Sequence, residues 1–444
     1  MKLAKSLLLG SATAFVAVAG ANAADLPSKK AAPVNYVKIC DAYGAGFFTI
    51  PGTETCIKVG GRVRADYAMS GKKNVYTAAS GTLAASDKSE NIWGNEARAR
   101  VDLDARTPTA YGTVQAVGSL RLARTSGVLT TSTATNASGS ASATLEAAYI
   151  RFAGFTFGVA RDNFSFMPST FYGAGHWSSF ANGAFQLAYT AVLGGGISAT
   201  LAVQDAGYTT SGAFTTGTTA IYNNFDKLPQ INARLDWDQS WGSASLVGAV
   251  SQVHGVTSAT AQTYDETKTV WALGAGVKIN LPMLAAGDAL FLNGGYADGM
   301  TEYTVNWVSF KSSDTSRNVG GFGQTAASYA ATSATKLETF KSWNIAAVLT
   351  HYWAPQWRHS FLGSYGSVKA PSTLKTNTWG TAGFGQADAT VWNLGSQIAF
   401  LPTSNFEIGV EALYARVKLS GSSTTAVNTS QGNWTGRMRV ERTF

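Results

Sequence analysis

Arginine is the residue type whose spacing in this chain carries the clearest chemical signal. Seven arginines lie in segments that have polar or charged residues at alternate positions: Arg62, Arg64, Arg98, Arg100, Arg121, Arg437 and Arg439. A guanidinium is charged at every physiological pH and binds carboxylates, phosphates and other anions. Side chains two residues apart lie on the same face of a β-strand. The spacing therefore predicts strands with fixed positive charge on one face.

The residues around these arginines indicate that one face of each strand contacts water and that the other face does not. From Glu96 to Arg106 every even position is charged, whereas every odd position is alanine, valine or leucine. If the strands form a closed barrel, the last strand pairs with the first, and the seven arginines share one patch of the inner wall. The patch either interacts with anions that pass through the pore, or it is a row of charges that only keeps the lumen hydrated. Acids that could balance it are Glu96, Asp102, Asp104 and Glu441.

Catalysis and nucleic-acid binding find little support in the sequence. The four histidines are His176, His254, His351 and His359, and none lies in a G-x-S-x-G or H-E-x-x-H motif. The formal net charge of +8 would suit a nucleic-acid partner, but the alternating arginines and a predicted export signal argue against one. We therefore predict no enzymatic activity, no cofactor, no metal site and no nucleic-acid partner.

The export signal is at the N-terminus. Lys2 and Lys5 precede an apolar stretch from Leu7 to Ala19, and Ala21-Asn22-Ala23 has the small residues of a cleavage site. Residues 1–23 are therefore predicted to be a signal peptide, with a membrane anchor as the alternative. No later segment reaches the ~20 apolar residues that a membrane helix needs. If the chain lies in a membrane it must be a closed β-barrel, because lipid offers no other partners for backbone groups.

The two cysteines, Cys40 and Cys56, would meet an oxidising compartment after export. A disulfide is the default there, and closing a loop of this size stabilises the fold by roughly 3 kcal/mol in the chain-entropy model. A metal site, which would need further ligands, and free or redox-active thiols are the alternatives. We predict a disulfide that staples the segment just before the first strand.

The rest of the chain predicts an all-β fold, a transmembrane antiparallel β-barrel of about sixteen strands. Charged residues are only 14% of the chain, which is low for a surface that meets water on every side. The N-terminal segment with the disulfide is placed at residues 24–54 and the barrel at residues 55–444. The predicted strands are 55–69, 92–107, 112–126, 143–154, 155–162, 184–192, 197–207, 229–239, 241–254, 268–282, 288–299, 342–354, 356–370, 387–402, 405–419 and 433–444. Short turns and long loops alternate between them, which separates a periplasmic rim from an outer rim.

Three stretches in the first third of the chain and its last residue carry a family resemblance. The stretches are Cys40–Cys56, Gly60–Tyr67 and Arg151–Gly158, and the chain ends in Phe444 after a strand of alternating apolar and charged residues. The terminal Phe444 resembles the assembly signal of bacterial outer-membrane barrels, although Arg442 stands where an aromatic residue is usual. The stretches resemble the alphaproteobacterial porin family. The resemblance implies a homotrimer and a third loop that folds into the lumen.

The connection after the fifth predicted strand would be that third loop. The residues expected to form the constriction are Asp162, Phe164, Phe166, Phe171, Tyr172, His176 and Trp177. Unlike the other long loops it is rich in aromatic residues and nearly uncharged, which suits packing against the inner wall and narrowing of the pore. The resemblance implies acidic residues on this loop, yet Asp162 is the only acid in the stretch. We therefore expect a net positive constriction and a tilt towards anions.

The function expected from these features is that of a general porin in the cell outer membrane, a passive channel for small hydrophilic solutes and ions. Its partners would be the lipid bilayer and two further copies of the chain. A channel selective for sugars or anions is the first alternative, because the loop aromatic residues could guide sugars. A structural or adhesive surface protein is the second.

Overall fold

The computed structural model describes residues 38–70, 75–76, 83–84, 93–127, 140–164, 166, 171–172, 183–205, 221–223, 229–257, 265–305, 329–333, 336–372, 388–420 and 430–444. Within these ranges there is no helix long and apolar enough to cross a membrane. The chain divides into two compact units, Met1–Cys56 and Ile57–Phe444. The predicted signal peptide, residues 1–23, lies outside the described residues.

The second unit is a closed antiparallel barrel of sixteen strands. The strands are β1 Cys56–Ser70, β2 Trp93–Thr109, β3 Gly112–Gly127, β4 Ser140–Phe152, β5 Phe155–Ala160, β6 Ala184–Gly194, β7 Ile197–Gln204, β8 Gln230–Gln239, β9 Gly242–Thr257, β10 Asp265–Asn280, β11 Ala289–Asp298, β12 Lys341–Ala354, β13 Trp357–Lys369, β14 Asp388–Thr403, β15 Phe406–Ser420 and β16 Ser430–Thr443. The predicted all-β barrel is confirmed, and each predicted strand end lies within three residues of the observed one.

The strands pair with their neighbours along the chain, and the last pairs with the first. The β16–β1 register runs from Thr435 opposite Ser70 to Thr443 opposite Arg62. At the end of this seam Phe444 and Gly61 exchange both backbone hydrogen bonds, each at 3.0 Å. Among the described residues, closure leaves the barrel sheet without an unpaired edge, which is the condition for a β-structure to be stable in lipid.

The two faces of the barrel differ as the alternation predicts. Large apolar side chains such as Val63, Leu246 and Ile345 are about half exposed, at 57%, 58% and 57%, on the outside. Polar side chains such as Asp66 and Gln397 are fully buried on the inside. This is the reverse of a water-soluble protein, because the outer face meets hydrocarbon and the inner face meets water and other polar groups.

The first unit is small and held by a disulfide. Cys40 and Cys56 are bonded, with their Cα atoms 6.0 Å apart, so the predicted disulfide is confirmed. Between them lie a one-turn 3₁₀ helix, Asp41–Tyr43, and the strand Phe48–Thr49, which pairs with Lys38–Ile39. Phe47 is buried with the two cysteines, and Tyr43 packs against this cluster.

Candidate functional site

The seven predicted arginines lie on the lumen side of four adjoining strands. They are Arg62 and Arg64 on β1, Arg98 and Arg100 on β2, Arg121 on β3, and Arg437 and Arg439 on β16. Their sequence neighbours Val63, Val101 and Leu122 are exposed on the outer face. Barrel closure brings the first and last strands together at this point, with Arg439 paired with Asp66 across the seam. We refer to the seven residues as the arginine cluster.

Asp66 lies at the centre of the arginine cluster and has no solvent exposure. Arg439 donates two hydrogen bonds to its carboxylate, at 2.6 and 3.0 Å. Arg64 and Arg437 approach the same carboxylate at 3.2 and 3.8 Å. Three guanidiniums therefore share one buried carboxylate, which reduces the repulsion between arginines on neighbouring strands.

Two further acids from the same strands hold the edge of the cluster. The Glu96 carboxylate lies 2.6 Å from the Arg98 guanidinium and 3.8 Å from that of Arg64. Glu441 lies 3.9 Å from both Arg62 and Arg64. Both acids alternate with arginines on their own strands, so they reach the lumen for the same reason.

Glu146 reaches the cluster through an irregularity in the sheet. The pairing of β3 with β4 shifts between Ser119 and Leu120, so Glu146 is an extra residue on β4. Such a bulge re-aims the side chain of the strand that carries it. The Glu146 carboxylate lies 3.3 Å from Arg100 and 3.1 Å from Arg121. Strict alternation does not predict an inward position for this residue, so Glu146 was not expected in the cluster.

The arginine cluster is therefore an interleaved charge network. Arg100 also contacts Asp102 at 2.7 Å, so seven guanidiniums face five carboxylates, those of Asp66, Glu96, Asp102, Glu146 and Glu441. Two positive charges are left over in this set. The sequence suggested four counter-charges and an excess of three. Asp66 and Glu146 were not expected, whereas Asp104, which was expected, contacts Arg106 at 2.7 Å instead.

The loop residues predicted to narrow the pore lie against glycines of the inner wall. A Cβ atom added to Gly274 would lie 3.1 Å from the Phe164 ring, and one added to Gly276 would lie 2.0 Å from Phe166. Further along, a Cβ atom added to Gly395 would lie 2.8 Å from the Phe171 ring. Phe164 and Phe171 are buried, each at 4% exposure. Only glycine at these inward positions gives the rings room.

Asp162 and its neighbour anchor the start of this loop. Asp162 is buried and accepts a hydrogen bond of 3.5 Å from the Asn232 amide on β8. Arg234, two residues further along β8, donates to the Asn163 carbonyl at 3.1 Å. The loop therefore turns inward directly after β5. His176 and Trp177, which were also predicted for the constriction, lie outside the described residues.

Tyr172 joins the loop to the arginine cluster. Arg437 donates to the Tyr172 carbonyl at 2.8 Å, and the Arg439 guanidinium lies 4.2 Å from the centre of the Tyr172 ring. The phenol donates to Glu407 and the backbone N–H to Glu411 on β15. Burial, followed by the nearby charge of Glu407, raises the pKa of the Tyr172 phenol, so this group stays a donor. The two parts of the predicted site are in direct contact.

A second inward segment was not predicted. Met300–Val305, which follows β11 and contains the 3₁₀ helix Thr301–Tyr303, is buried apart from Glu302, whose side chain is not described. Tyr303 stacks on Phe164 with ring centres 4.2 Å apart and accepts a hydrogen bond from Gln230 at 2.5 Å. Thr304 shares a 2.5 Å hydrogen bond with Ser342. The segment thus supports the third loop, and its composition carries no signal of that role.

Comparison with known proteins identifies the architecture. A model described as "Porin subfamily" matches residues 25–437. The chain belongs to this porin family. Porin Omp2b of Brucella abortus (strain 2308) is 35% identical over 256 residues, and Porin Omp2b of Brucella melitensis biotype 1 matches equally well. Each alignment spans 56% of this porin but only 66% of the relative.

A solved structure agrees on the fold. The outer membrane channel DcaP of Acinetobacter baumannii aligns over 88% of this porin and 97% of its own chain, with a TM-score of 0.61 and 16% sequence identity. The low identity limits this likeness to the barrel architecture. The family and the Omp2b relatives place the porin in the outer membrane, as predicted.

Proposed function

We propose that this porin is a passive diffusion channel for small hydrophilic solutes and ions, and not an enzyme. The observation that carries the proposal is the contact between Tyr172 on the inward loop and Arg437 and Arg439 on the opposite wall. A closed barrel with a wet, charged lining conducts, and a loop fixed to that lining sets the size limit. The functional unit we propose is a homotrimer, formed after removal of residues 1–23.

The loop aromatic residues argue for a general channel over a sugar-selective one. A sugar path needs ring faces that are open to the solute. Phe164, Phe171 and Tyr172 instead bury their rings against the wall, against Tyr303 and against Arg439. The charge network points to weak ion selectivity, with a small preference for anions from the two excess positive charges of the arginine cluster.

Reconstitution tests this function directly. The purified porin is inserted in liposomes, and swelling is followed for a graded series of neutral sugars. A smooth decline of rate with solute size is the expected result. One saturable solute would replace the proposal with a selective channel, and no permeability would leave only a structural role. Clear cation preference in the reversal potential across a planar bilayer would overturn the charge assignment.

A glycine variant tests whether the loop sets the size limit. Gly276→Ala puts a methyl group where Phe166 lies, 2.0 Å from its ring, so the loop must move towards the pore axis. Single-channel conductance should fall. The matched control is Gly118→Ala on the outer face, where the added atom meets nothing within 4 Å. Equal conductance of the two variants would contradict the placement of the loop.

A further inference from the structure

Part of the inner wall is apolar where a pore lining would be polar. Inward positions of β9, β10 and β11 carry valine and alanine, whose exposure to water in the lumen would be unfavourable. These side chains are buried in one cluster with Phe164 of the third loop and with Met300 and Tyr303 of the second inward segment. The wall residues of the cluster are Val247, Ala249, Val253, Val270, Ala272 and Ala297. This wall therefore requires a cover, and part of that cover comes from outside the third loop.

The second inward segment, residues 300–305, lies beside a strand position that has no side chain. Gly366 is an inward-facing residue of β13, and a Cβ atom added to it would lie 3.0 Å from the Val305 side chain. Glycine inside a strand weakens the strand and often marks the close approach of another part of the chain. The third loop approaches the inner wall in the same way at Gly276. Gly366 therefore indicates a defined position for this segment inside the barrel.

The sheet holds this segment at both ends. The N–H group of Gly299, directly before the segment, donates to the Phe340 carbonyl at 2.9 Å. Near the other end, Thr304 shares a hydrogen bond of 2.5 Å with Ser342. Phe340 and Ser342 flank the first residue of β12, so the segment is fixed between the end of β11 and the start of β12. Its place in the lumen is set by the barrel and not by the third loop alone.

A chain of buried amide side chains connects Tyr303 with the start of the third loop. Gln230 on β8 donates to the Tyr303 hydroxyl at 2.5 Å and to the Asn232 carbonyl at 2.7 Å. Asn232 donates to Gln204 on β7, and Gln204 donates to Gln186 on β6 at 3.3 Å. All four amide side chains are buried. We call Gln186, Gln204, Gln230 and Asn232 the amide relay.

The far end of the amide relay holds the residues that lead from β5 into the third loop. Gln186 donates to the Arg161 carbonyl at 2.9 Å and accepts a hydrogen bond from Asn163. Asn232 donates to Asp162 at 3.5 Å. A buried donor or acceptor that loses its partner destabilises the fold, and buried networks of this kind favour a single arrangement. A displacement at one end of the relay is therefore unfavourable at the other end.

The third loop and the second inward segment also meet directly, because Tyr303 stacks on Phe164 with ring centres 4.2 Å apart. We propose that residues 300–305 are a second constriction segment and that Tyr303, which lies outside the third loop, determines the largest solute that the pore admits. The amide relay is the positioning device that keeps Tyr303 against Phe164. This inference rests on the proposed channel function and specifies which residues set its size limit.

Liposome swelling with the full porin tests this role of Tyr303. The readout is the swelling rate for a disaccharide divided by that for a pentose, because this ratio does not depend on how much protein has folded. Tyr303→Ala removes the ring that supports Phe164, so the ratio should rise severalfold. Gln230→Leu breaks the relay but keeps the ring, so it should raise the ratio by less. The control Tyr365→Ala removes an exposed tyrosine from the outer face and should leave the ratio unchanged.

A second variant should change the same ratio in the opposite direction. Gly366→Val adds a side chain whose Cβ alone would lie 3.0 Å from Val305, so the segment must move away from the wall and towards the pore axis. The ratio should then fall. The matched control is Gly363→Val on the outer face of the same strand, where the Cβ atom would lie 3.8 Å from Leu394, an ordinary contact. A general loss of packing would not produce opposite signs in the two variants.

Two results would refute this assignment in a permeable porin. An unchanged ratio in Tyr303→Ala would show that the third loop alone sets the size limit. A rise in both Tyr303→Ala and Gly366→Val would show that the segment only stabilises the barrel. Migration on unheated gels shows whether each variant is folded, and if Tyr303→Ala does not fold, an unchanged ratio in Gln230→Leu refutes the assignment instead. An impermeable wild type would refute the channel function and this inference with it, so the two failures are distinguishable.

Discussion

Replacing Asp66 by asparagine removes a fully buried carboxylate from the middle of the arginine cluster. Arg439 then loses a charge-assisted partner, and Arg64 and Arg437 lose their nearest counter-charge. Removing one partner of a buried ion pair costs about 3–5 kcal/mol. The asparagine carbonyl still accepts one bond from Arg439, and Arg437 and Arg439 are 12% exposed to the lumen. We therefore expect a loss of about 3 kcal/mol in the free energy of unfolding, at the low end of that range.

The assay is urea unfolding of the porin in lipid vesicles, followed by tryptophan fluorescence and by migration on unheated gels. Asp104→Asn on β2 is the matched control. Asp104 also faces the lumen and contacts Arg106 at 2.7 Å, but the two side chains are 24% and 31% exposed. This pair is partly exposed, and because solvent-exposed pairs contribute about 1 kcal/mol or less, its loss should cost less than that of Asp66. Equal losses in the two variants would show that Asp66 is no more than another solvated acid of the lining.

Variants of Glu146, Tyr172 and Cys40 test the charge balance, the loop contact and the disulfide. Glu146→Gln leaves Arg100 and Arg121 without their shared acid, so the reversal potential in a salt gradient should shift towards anions, while Asp236→Asn, away from the cluster, should shift it less. Tyr172→Phe keeps the ring under Arg439 but loses the bond to Glu407, so its open-channel current noise should rise less than that of Tyr172→Ala. Cys40→Ser opens the disulfide loop, worth roughly 3 kcal/mol, so limited proteolysis should cut between residues 40 and 56 while the barrel stays intact.

The sequence contains enough to predict the barrel because alternation is a local property. Every strand must place apolar side chains towards lipid and polar side chains towards the lumen. The residue pattern of each of the sixteen strands therefore predicts which of its side chains face each side. Closure follows, and with it the meeting of Arg64 on β1 with Arg439 on β16 around Asp66. Short turns between long connections also predict which rim faces the periplasm.

The contacts inside the barrel were less predictable because they break the alternation or lie outside it. Glu146 enters through a bulge, which needs the register of β3 and β4 to be known. Met300–Val305 has no periodic pattern, and its role depends on Phe164 being beside it. One signal was available: Gly274, Gly276 and Gly395 lie at inward positions where a strand normally presents a side chain. Glycine weakens a strand, so its repeated use on the inner face indicates something packed there.

The arrangement of charge explains how a pore wall can hold so many arginines, and it supports the weak selectivity that we propose. A guanidinium cannot lose its charge, so the wall is stable only where carboxylates or water share its field. Here Asp66 and Glu146 each lie between two or more arginines, and the Tyr172 carbonyl and ring cover part of Arg437 and Arg439. The same contacts that stabilise the wall also reduce the potential that a passing ion meets. Removing an acid should therefore lower stability and raise anion preference together, and the Asp66→Asn variant measures both effects in one protein.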